Sequence, residues 1–193
     1  MRRTVGLSSA LMLALSAIAC GGGSEEATET PPAETPAAAP AAPAPATDWV
    51  TGDAAAKTVT INLVAGEGTA NNNWNFNGHA NGNATVTVAT GSTVTLNFTN
   101  QDPNMAHSAG VVAKATGPWS ATPAATPIFA GAITSNPTSM TDATKTGASE
   151  TITFTADKAG EYALVCFVPG HASAGMWINF TVADGATAGV AGM

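Results

Sequence analysis

Polar and apolar residues alternate along six short stretches of this chain, at residues 57–64, 85–88, 93–98, 151–154, 161–165 and 177–182. A period of two places one face of a β-strand against a core and the other face in solvent. Turn signals such as Asn81-Gly82 and Ala159-Gly160 lie between the stretches. Several short strands with frequent turns predict an all-β sandwich or barrel, and no stretch predicts a long helix.

Two segments interrupt this pattern. Residues 115–148 are rich in Ala, Thr, Pro and Ser, with one apolar island at Ile128-Phe129-Ala130. A structureless loop of this length is uncommon in a compact domain, so we expect a long connection that contains one strand or short helix. Residues 184–193 have no strand pattern, and we expect a flexible tail there. The folded domain is therefore predicted to span residues 57–183.

Residues 1–19 combine a positively charged start with a short apolar run, which is typical of a secretory signal peptide. The run ends in Leu15-Ser16-Ala17-Ile18-Ala19-Cys20, which resembles a bacterial lipobox. In such a motif the cysteine becomes the lipidated first residue of the mature protein, so Cys20 is predicted to carry a lipid. The alternative is an ordinary cleaved signal, in which Cys20 has no special role.

Residues 20–56 are predicted to form a disordered tether between this lipid and the folded domain. They begin with a flexible Gly-Gly-Gly-Ser spacer and continue mainly in Ala, Pro, Thr and Glu. Residues 24–47 contain no large apolar side chain, so they cannot bury enough surface to offset the entropy lost on ordering. We therefore expect an exported protein, held at the periplasmic or extracytoplasmic face of the cell membrane by its lipid anchor alone.

Charge and cysteine content narrow the function further. The formal net charge is −7 with only six Lys and Arg, which argues against nucleic-acid binding because phosphate contacts need clustered basic residues. Two cysteines in a small exported domain would ordinarily suggest a disulfide. Cys20 and Cys166, however, each lie in a motif of their own, which leaves no pair to oxidise.

The motif around Cys166 reads Cys166-Phe-Val-Pro-Gly-His171-Ala-Ser-Ala-Gly-Met176 and lies between two predicted strands. Thiolate, imidazole and thioether are ligands that suit copper as it cycles between Cu(I) and Cu(II). A loop that joins two strands can place all three on one ion. Each of these residues alone could be an ordinary core or turn residue, and only their joint spacing in a β context indicates a metal site.

A second histidine ligand is expected from elsewhere, and the chain contains three histidines in all. His107 follows the predicted strand at 93–98 and lies at the expected end of the sandwich. His79 has no ligand-type residue near it in the sequence, so we expect it to be structural or on the surface.

The Cys-x4-His-x4-Met spacing, with Val-Pro-Gly-His-Ala before Ala-Gly-Met-Trp and the segment Trp-Asn-Phe-Asn-Gly-His-Ala-Asn-Gly at residues 74–82, resembles the cupredoxins. Within them it looks like the sulfocyanin and rusticyanin-like branch. The resemblance covers about residues 57–183 and implies a Greek-key β-sandwich with one type 1 copper ion. It also implies that His107, Cys166 and His171 are equatorial ligands and Met176 the axial ligand. Ser108, which stands where many cupredoxins carry Asn, is expected to lie beside the ligands without binding the metal.

Four protein ligands leave no open position for a substrate, which favours a carrier of single electrons over an enzyme. Axial Met and the apolar neighbours Phe167, Val168 and Trp177 predict a fairly high reduction potential. We expect a monomer whose partners are redox proteins such as cytochromes or a terminal oxidase. If the ring edge of His171 reaches the surface, the small apolar residues around it form the docking face. Met105 and Ala106 would adjoin this face, and a charge at Ala172 would disturb it.

Three alternatives remain open from the sequence. A copper-delivery or storage lipoprotein would use exposed Met and His clusters, whereas only Met176 of the six methionines lies in a ligand motif. A copper enzyme would need a further copper centre with more histidines, and only His79 is left. The third alternative is a metal-free binding sandwich.

Overall fold

The computed structural model describes residues 49–192, which form two β-sheets from nine strands. The strands are β1 (Val50–Asp53), β2 (Thr58–Ala65), β3 (Ala84–Ala89), β4 (Ser92–Asn100), β5 (Gly110–Ala113), β6 (Ser149–Ala156), β7 (Gly160–Val165), β8 (Trp177–Ala183) and β9 (Gly189–Gly192). The only short turn of helical type in these residues lies at Ala70–Asn73, where Asn71 and Asn72 have left-handed backbones. The strand order is β1-β2-β4-β6 in one sheet and β5-β7-β8-β3-β9 in the other.

The alternating pattern of the sequence becomes the inner face of this sandwich. In β4 the buried apolar positions are Val94, Leu96 and Phe98, with polar residues between them. Strands β2, β3, β6 and β8 bury alternate residues in the same way, whereas β7 buries four successive residues, and the two inner faces join in one hydrophobic core. Burial of β-branched and aromatic side chains on one face of a pleated strand is the main stabilising term in such a sandwich.

The connectivity is that of a Greek-key sandwich. β2 pairs in parallel with β4, although β3, which lies between them in sequence, belongs to the other sheet. β3 likewise pairs in parallel with β8. The chain therefore crosses from one sheet to the other and back, and the predicted all-β fold class is confirmed.

All six predicted strands are present, and three short strands that the pattern did not predict are added to them. β5 continues the sheet beside β7, while β1 pairs with β2 and β9 pairs with β3. Residues 50–53 and 189–192 thus differ from the expected tether and flexible tail. β9 reads Gly-Val-Ala-Gly, so it shows no hydrophobic alternation and is held mainly by backbone pairing.

The long connection between β5 and β6 forms neither the expected strand nor the expected short helix. It is nevertheless fixed to the sandwich, because Ile128 donates its backbone N–H to Val111 and Val111 donates in turn to Ala132. Phe129, from the apolar island, is buried and stacks on Phe154. A loop without regular secondary structure can therefore contribute to the core when its backbone groups form hydrogen bonds with a neighbouring strand.

Residues 1–48 and Met193 lie outside the described part of the chain. The predicted signal peptide, Cys20 and most of the predicted tether fall there as well. Among residues 49–192, no helix has the length and apolar character that a membrane crossing requires.

Candidate metal centre

Three loops meet at one end of the sandwich. β2 and β4 run in parallel and finish at this end, where the loop after β4 carries His107. β7 finishes at the same end, and the residues from Cys166 to Met176 connect it to β8. The loop after β2 joins them, because Asn81 donates its backbone N–H to the carbonyl of Gly175 at 2.7 Å. The topology therefore brings together residues that are about 60 positions apart in the sequence.

His107, Cys166 and His171 converge on one point. The two Nδ1 atoms are 3.0 Å apart, and the Cys166 Sγ lies 3.5 Å from the Nδ1 of His171 and 3.9 Å from that of His107. The centre of this triangle lies about 2 Å from each of the three atoms, close to the bond lengths that first-row metal ions make to imidazole nitrogen. All three side chains are fully buried.

Met176 closes the same loop. Its backbone N–H donates to the carbonyl of His171 at 2.9 Å, and its carbonyl accepts from the N–H of Cys166 at 3.1 Å. Its side chain is fully buried in the core. These bonds fix the fourth predicted ligand residue directly beside two of the others.

Ser108 is the partner of the cysteine sulfur. Its backbone N–H points at the Cys166 Sγ at 3.5 Å, and its Oγ lies 3.7 Å from the same sulfur. The Ser108 Oγ is itself fixed, because it accepts the backbone N–H of Phe167 at 2.9 Å. Hydrogen bonds to a cysteine sulfur stabilise the thiolate form and tune the reduction potential of a bound metal.

Burial acts in the opposite direction on this thiol. Desolvation raises the pKa of Cys166, and the hydrogen bonds from Ser108 and Val168 lower it only in part. In the metal-free protein Cys166 therefore keeps its proton at neutral pH. A metal ion must displace that proton when it binds, so metal affinity depends on pH.

Asp102 is a functional residue that the sequence reasoning missed. Its Oδ2 lies 2.8 Å from the Nε2 of His107, in a pair that is almost completely buried. A carboxylate accepts the Nε2–H and so leaves the lone pair of Nδ1 directed at the other donors. Burial lowers the pKa of His107 by desolvation, and the hydrogen bond to Asp102 opposes that effect.

The carboxylate of Asp102 is held in place from two sides. Its Oδ1 accepts the backbone N–H groups of Asn104 and Met105, and its own N–H donates to the Oδ1 of Asn100. Gly66 packs against its backbone in a left-handed conformation with φ of 74°, and a Cβ there would lie 2.6 Å from the Asp102 nitrogen. Only glycine fits this position.

A signal for Asp102 was present in the sequence. Asn100 continues the buried register of β4, and a buried polar residue at the end of a core strand indicates a hydrogen-bond network. What the sequence could not provide was the fold of the loop that turns the carboxylate towards His107.

His171 is covered rather than exposed. Its ring stacks on Trp74 with 4.2 Å between ring centroids and 20° between the planes, and its Nε2 is buried without a protein hydrogen-bond acceptor among the described residues. Desolvation, reinforced by the neighbouring His107, lowers the pKa of His171 to about 4, so this ring is neutral above that pH. The docking face expected from the sequence required that the ring edge of His171 reach the surface, and this edge is buried. Ala172 is buried too, so a charge there would disrupt packing instead of marking the surface.

His79 lies apart from the ligand group. Its backbone pairs with Phe76, and its ring packs against Gly192 of β9, where a Cβ would approach it to 2.9 Å. The position of His79 agrees with the structural role that we expect for it from the sequence.

The donor set fits copper. Two imidazole nitrogens and one thiolate in a plane, with a methionine beside them, are the ligands of blue-copper electron-transfer sites. Within residues 49–192, His107, Cys166 and His171 are the only group of three or more His, Cys, Asp or Glu side chains close enough to share a metal ion.

The family model described as the sulfocyanin (SoxE) domain matches residues 45–191, which agrees with this chemistry. Rusticyanin from Thiobacillus ferrooxidans is 26% identical, with 69% of this chain and 87% of that chain covered and a TM-score of 0.43. Auracyanin from Roseiflexus castenholzii is 27% identical, with 64% and 95% covered and a TM-score of 0.42. Because both TM-scores are below 0.5, the family of this chain is assigned from the family match alone. No curated protein matches the chain.

The stability of the metal-free protein is predicted to fall as the pH falls from about 6.5 towards 4. In the unfolded chain His171 takes up a proton near its ordinary pKa of 6.5, whereas in the folded chain its pKa is about 4. Between these values the unfolded state binds more protons, so acid favours unfolding. His107, whose pKa is also lowered, acts in the same direction. Urea unfolding across this range measures the effect. The variant His171→Gln should show a weaker dependence, and an equal slope in both proteins would contradict the prediction.

Replacing Asp102 by Asn is predicted to weaken Cu(II) binding by about 10- to 100-fold, the usual cost of losing such a partner of a metal ligand. The variant keeps the shape of the side chain but removes the negative charge beside His107, so the reduction potential should also rise. Competition with a chelator and redox titration measure the two effects. Asp157→Asn, an exposed change in the turn between β6 and β7, is the matched control. Identical affinity and potential in the two variants would refute a role for Asp102.

Proposed function

Since this chain belongs to the sulfocyanin family of the cupredoxins, we propose that it carries single electrons between exported or membrane-bound redox proteins. Its cofactor is one type 1 copper ion, and we assign His107, Cys166, His171 and Met176 as the ligands. The observation that carries this proposal is the convergence of two imidazole nitrogens and one sulfur on a single buried point. When bound, the copper ion supplies a one-electron Cu(II)/Cu(I) couple.

The protein side chains prepare this site before the metal arrives. Asp102 holds the proton of His107 on Nε2, and the neutral ring of His171 directs its own Nδ1 at the same point. Strand β7 pairs with β8 along its full length, and the two strands fix both ends of the loop from Cys166 to Met176. A site fixed in this way changes little in geometry between oxidation states, so little reorganisation opposes electron transfer.

Burial of the ligands supports electron transfer over catalysis. His107, Cys166, His171 and Met176 are all fully buried, so a substrate has no exposed ligand position to approach. A multicopper enzyme would need further histidines, and His79 packs against β9 instead of joining the ligand group. Apolar burial of the site, with Phe167 and Val168 fully buried next to Cys166, supports the fairly high potential expected from the sequence.

We also propose where the protein is located and which proteins it exchanges electrons with. The signal peptide and the lipobox at Cys20 support an exported protein anchored to the membrane by lipid, and the tether supports a copper domain that reaches away from the bilayer. Partners at that face are other exported or membrane redox proteins, such as cytochromes or a terminal oxidase.

Copper delivery or storage is the main competing function. Delivery proteins release metal from exposed methionine and histidine clusters, whereas Met140 is the one strongly exposed methionine in the described residues. The buried ligands of this site favour retention. Copper should therefore pass slowly to a chelator, and rapid transfer would favour delivery.

The electronic spectrum of the copper-loaded protein tests the site directly. We expect an intense blue band from charge transfer between the Cys166 sulfur and Cu(II), and its loss in Cys166→Ser. Met140→Leu, a change at an exposed methionine outside the site, should keep the band. A colourless or weakly absorbing wild-type protein would refute the type 1 site.

Lipidation at Cys20 is tested in a bacterial host that processes lipoproteins. The wild-type chain should incorporate a labelled fatty acid and sediment with membranes, whereas Cys20→Ser should do neither. Membrane association that survives Cys20→Ser would contradict a lipid anchor at this residue.

A further inference from the structure

A tryptophan covers one ligand of the metal centre. Trp74 lies in the loop between β2 and β3, is half-buried, and stacks on the ring of His171 at a centroid distance of 4.2 Å. His171 itself is fully buried, and its Nε2 has neither a protein acceptor in the described residues nor accessible surface. Among the aromatic pairs of the described residues, this is the one that joins a ligand ring to a partly exposed indole.

The position of Trp74 is fixed by the asparagines before it. Asn71, Asn72 and Asn73 all have left-handed backbones, with φ of 49°, 54° and 66°. Asparagine tolerates this conformation better than other residues with a side chain, and three in succession form a tight turn. The Nδ2 of Asn71 donates to the carbonyl of Trp74 at 2.7 Å and to that of Ala174 at 3.0 Å. One side chain thus ties the Trp74 loop to the loop that carries His171.

We propose that redox partners contact the metal centre through the indole of Trp74, which covers His171, and not through an exposed edge of that histidine. This inference rests on the proposed electron-transfer function. A partner that approaches this end of the sandwich meets Trp74 before it can reach the ligand ring. The stacked rings then form a direct aromatic path from the partly exposed indole to the buried ligand group.

The chemistry of the surrounding surface identifies the kind of partner. Three of the segments at this end, residues 68–78, 103–108 and 168–176, contain no Asp, Glu, Lys or Arg, although the chain carries a net charge of −7. The exposed charged residues that flank them are Glu67, next to the first segment, and the pair Asp142 and Lys145, on either side of residues 143–144, which pair with His107 through Thr144. Residues near Trp74 such as Asn72, Ser173 and Ala174 are exposed and uncharged. The matching occupant is a redox protein that presents an uncharged, largely apolar face. Encounters on such a face depend little on ionic strength.

Electron self-exchange between two copies of this protein tests the contact without knowledge of the natural partner. The reduced copy gives one electron to the oxidised copy, no bond forms or breaks, and reactants and products are the same. Because the driving force is zero, a variant that shifts the reduction potential of both copies alike does not alter the driving force of this reaction. Line broadening in NMR spectra of mixed oxidation states measures its rate.

A charge placed next to Trp74 should slow self-exchange. Ala70 is exposed and begins the 3-10 turn that leads to Trp74, so Ala70→Lys brings two like charges together when two copies meet on this face. Ala54→Lys adds the same charge in the exposed turn between β1 and β2, at the opposite end of the eight-residue strand β2, about 25 Å away. We expect Ala70→Lys to be about fivefold slower than Ala54→Lys at low ionic strength, with the difference lost at high salt.

The covering of the ligand group by Trp74 can be measured in the metal-free protein through the reactivity of the Cys166 thiol. Removal of the indole in Trp74→Ala should expose the site, so modification of the Cys166 thiol by a thiol reagent should accelerate by about tenfold or more. Trp74→Phe should stay close to wild type, because a smaller aromatic ring still covers His171. Trp119→Ala is the control for loss of a large side chain at the same end of the sandwich, since this half-buried tryptophan packs near Trp177 and against the cluster that contains Phe167 and Ala172, without stacking on His171.

The outcomes separate this inference from the proposed function. A blue protein in which Ala70→Lys and Ala54→Lys exchange electrons at equal rates would overturn the Trp74 contact and leave the copper function intact. Equal thiol reactivity in Trp74→Ala and Trp119→Ala would overturn it as well. Absence of the blue band in the wild-type protein would instead remove the electron-transfer function itself.

Discussion

Two imidazole nitrogens and one cysteine sulfur lie together in a fully buried site, and the rest of the structure keeps them there. Such a group is costly to assemble without a metal, because Cys166 and His171 lose their hydration and neither is paired with an opposite charge. The pKa of each group moves towards its neutral form in response. A sandwich with a well-packed core can hold this arrangement, since β7 and β8 fix the ends of one loop and β4 fixes the start of the other. Preorganisation of this kind is also what a carrier needs, because a fixed ligand set changes little when an electron arrives.

The two histidines are stabilised in different ways, and the difference matters for function. His107 faces the interior and donates to the buried carboxylate of Asp102, which is in turn held by backbone N–H groups and by Asn100. His171 faces the surface, has no such partner, and is covered by the indole of Trp74. One ring is therefore oriented by charge and the other by stacking. The first arrangement would favour the oxidised state of a bound metal, and the second leaves an indole ring over the other ligand.

The long connection between β5 and β6 gives the sandwich a second layer of packing. Both faces of β7 are buried, because Ala163 and Val165 on its outer face meet a small cluster that includes Trp119 from this connection. The same connection reaches the metal centre, where Thr144 exchanges two backbone hydrogen bonds with His107. A segment without hydrophobic alternation thus supports both the core and a ligand, through backbone groups that a sequence pattern does not register.

The sequence by itself determined the six longer strands, the sandwich and the four candidate ligands, because period-two alternation and a Cys-x4-His-x4-Met loop are local patterns. It did not determine β1, β5 and β9, whose four-residue segments are too short to show an alternating pattern and are selected by pairing with a neighbouring strand. Nor could it assign Asp102 to His107 or Trp74 to His171, since these contacts join loops whose paths depend on the whole sandwich. Local spacing determines which side chains are available for a metal. Only the tertiary structure decided which of them are buried, which atoms face each other, and which residue forms the surface above the site.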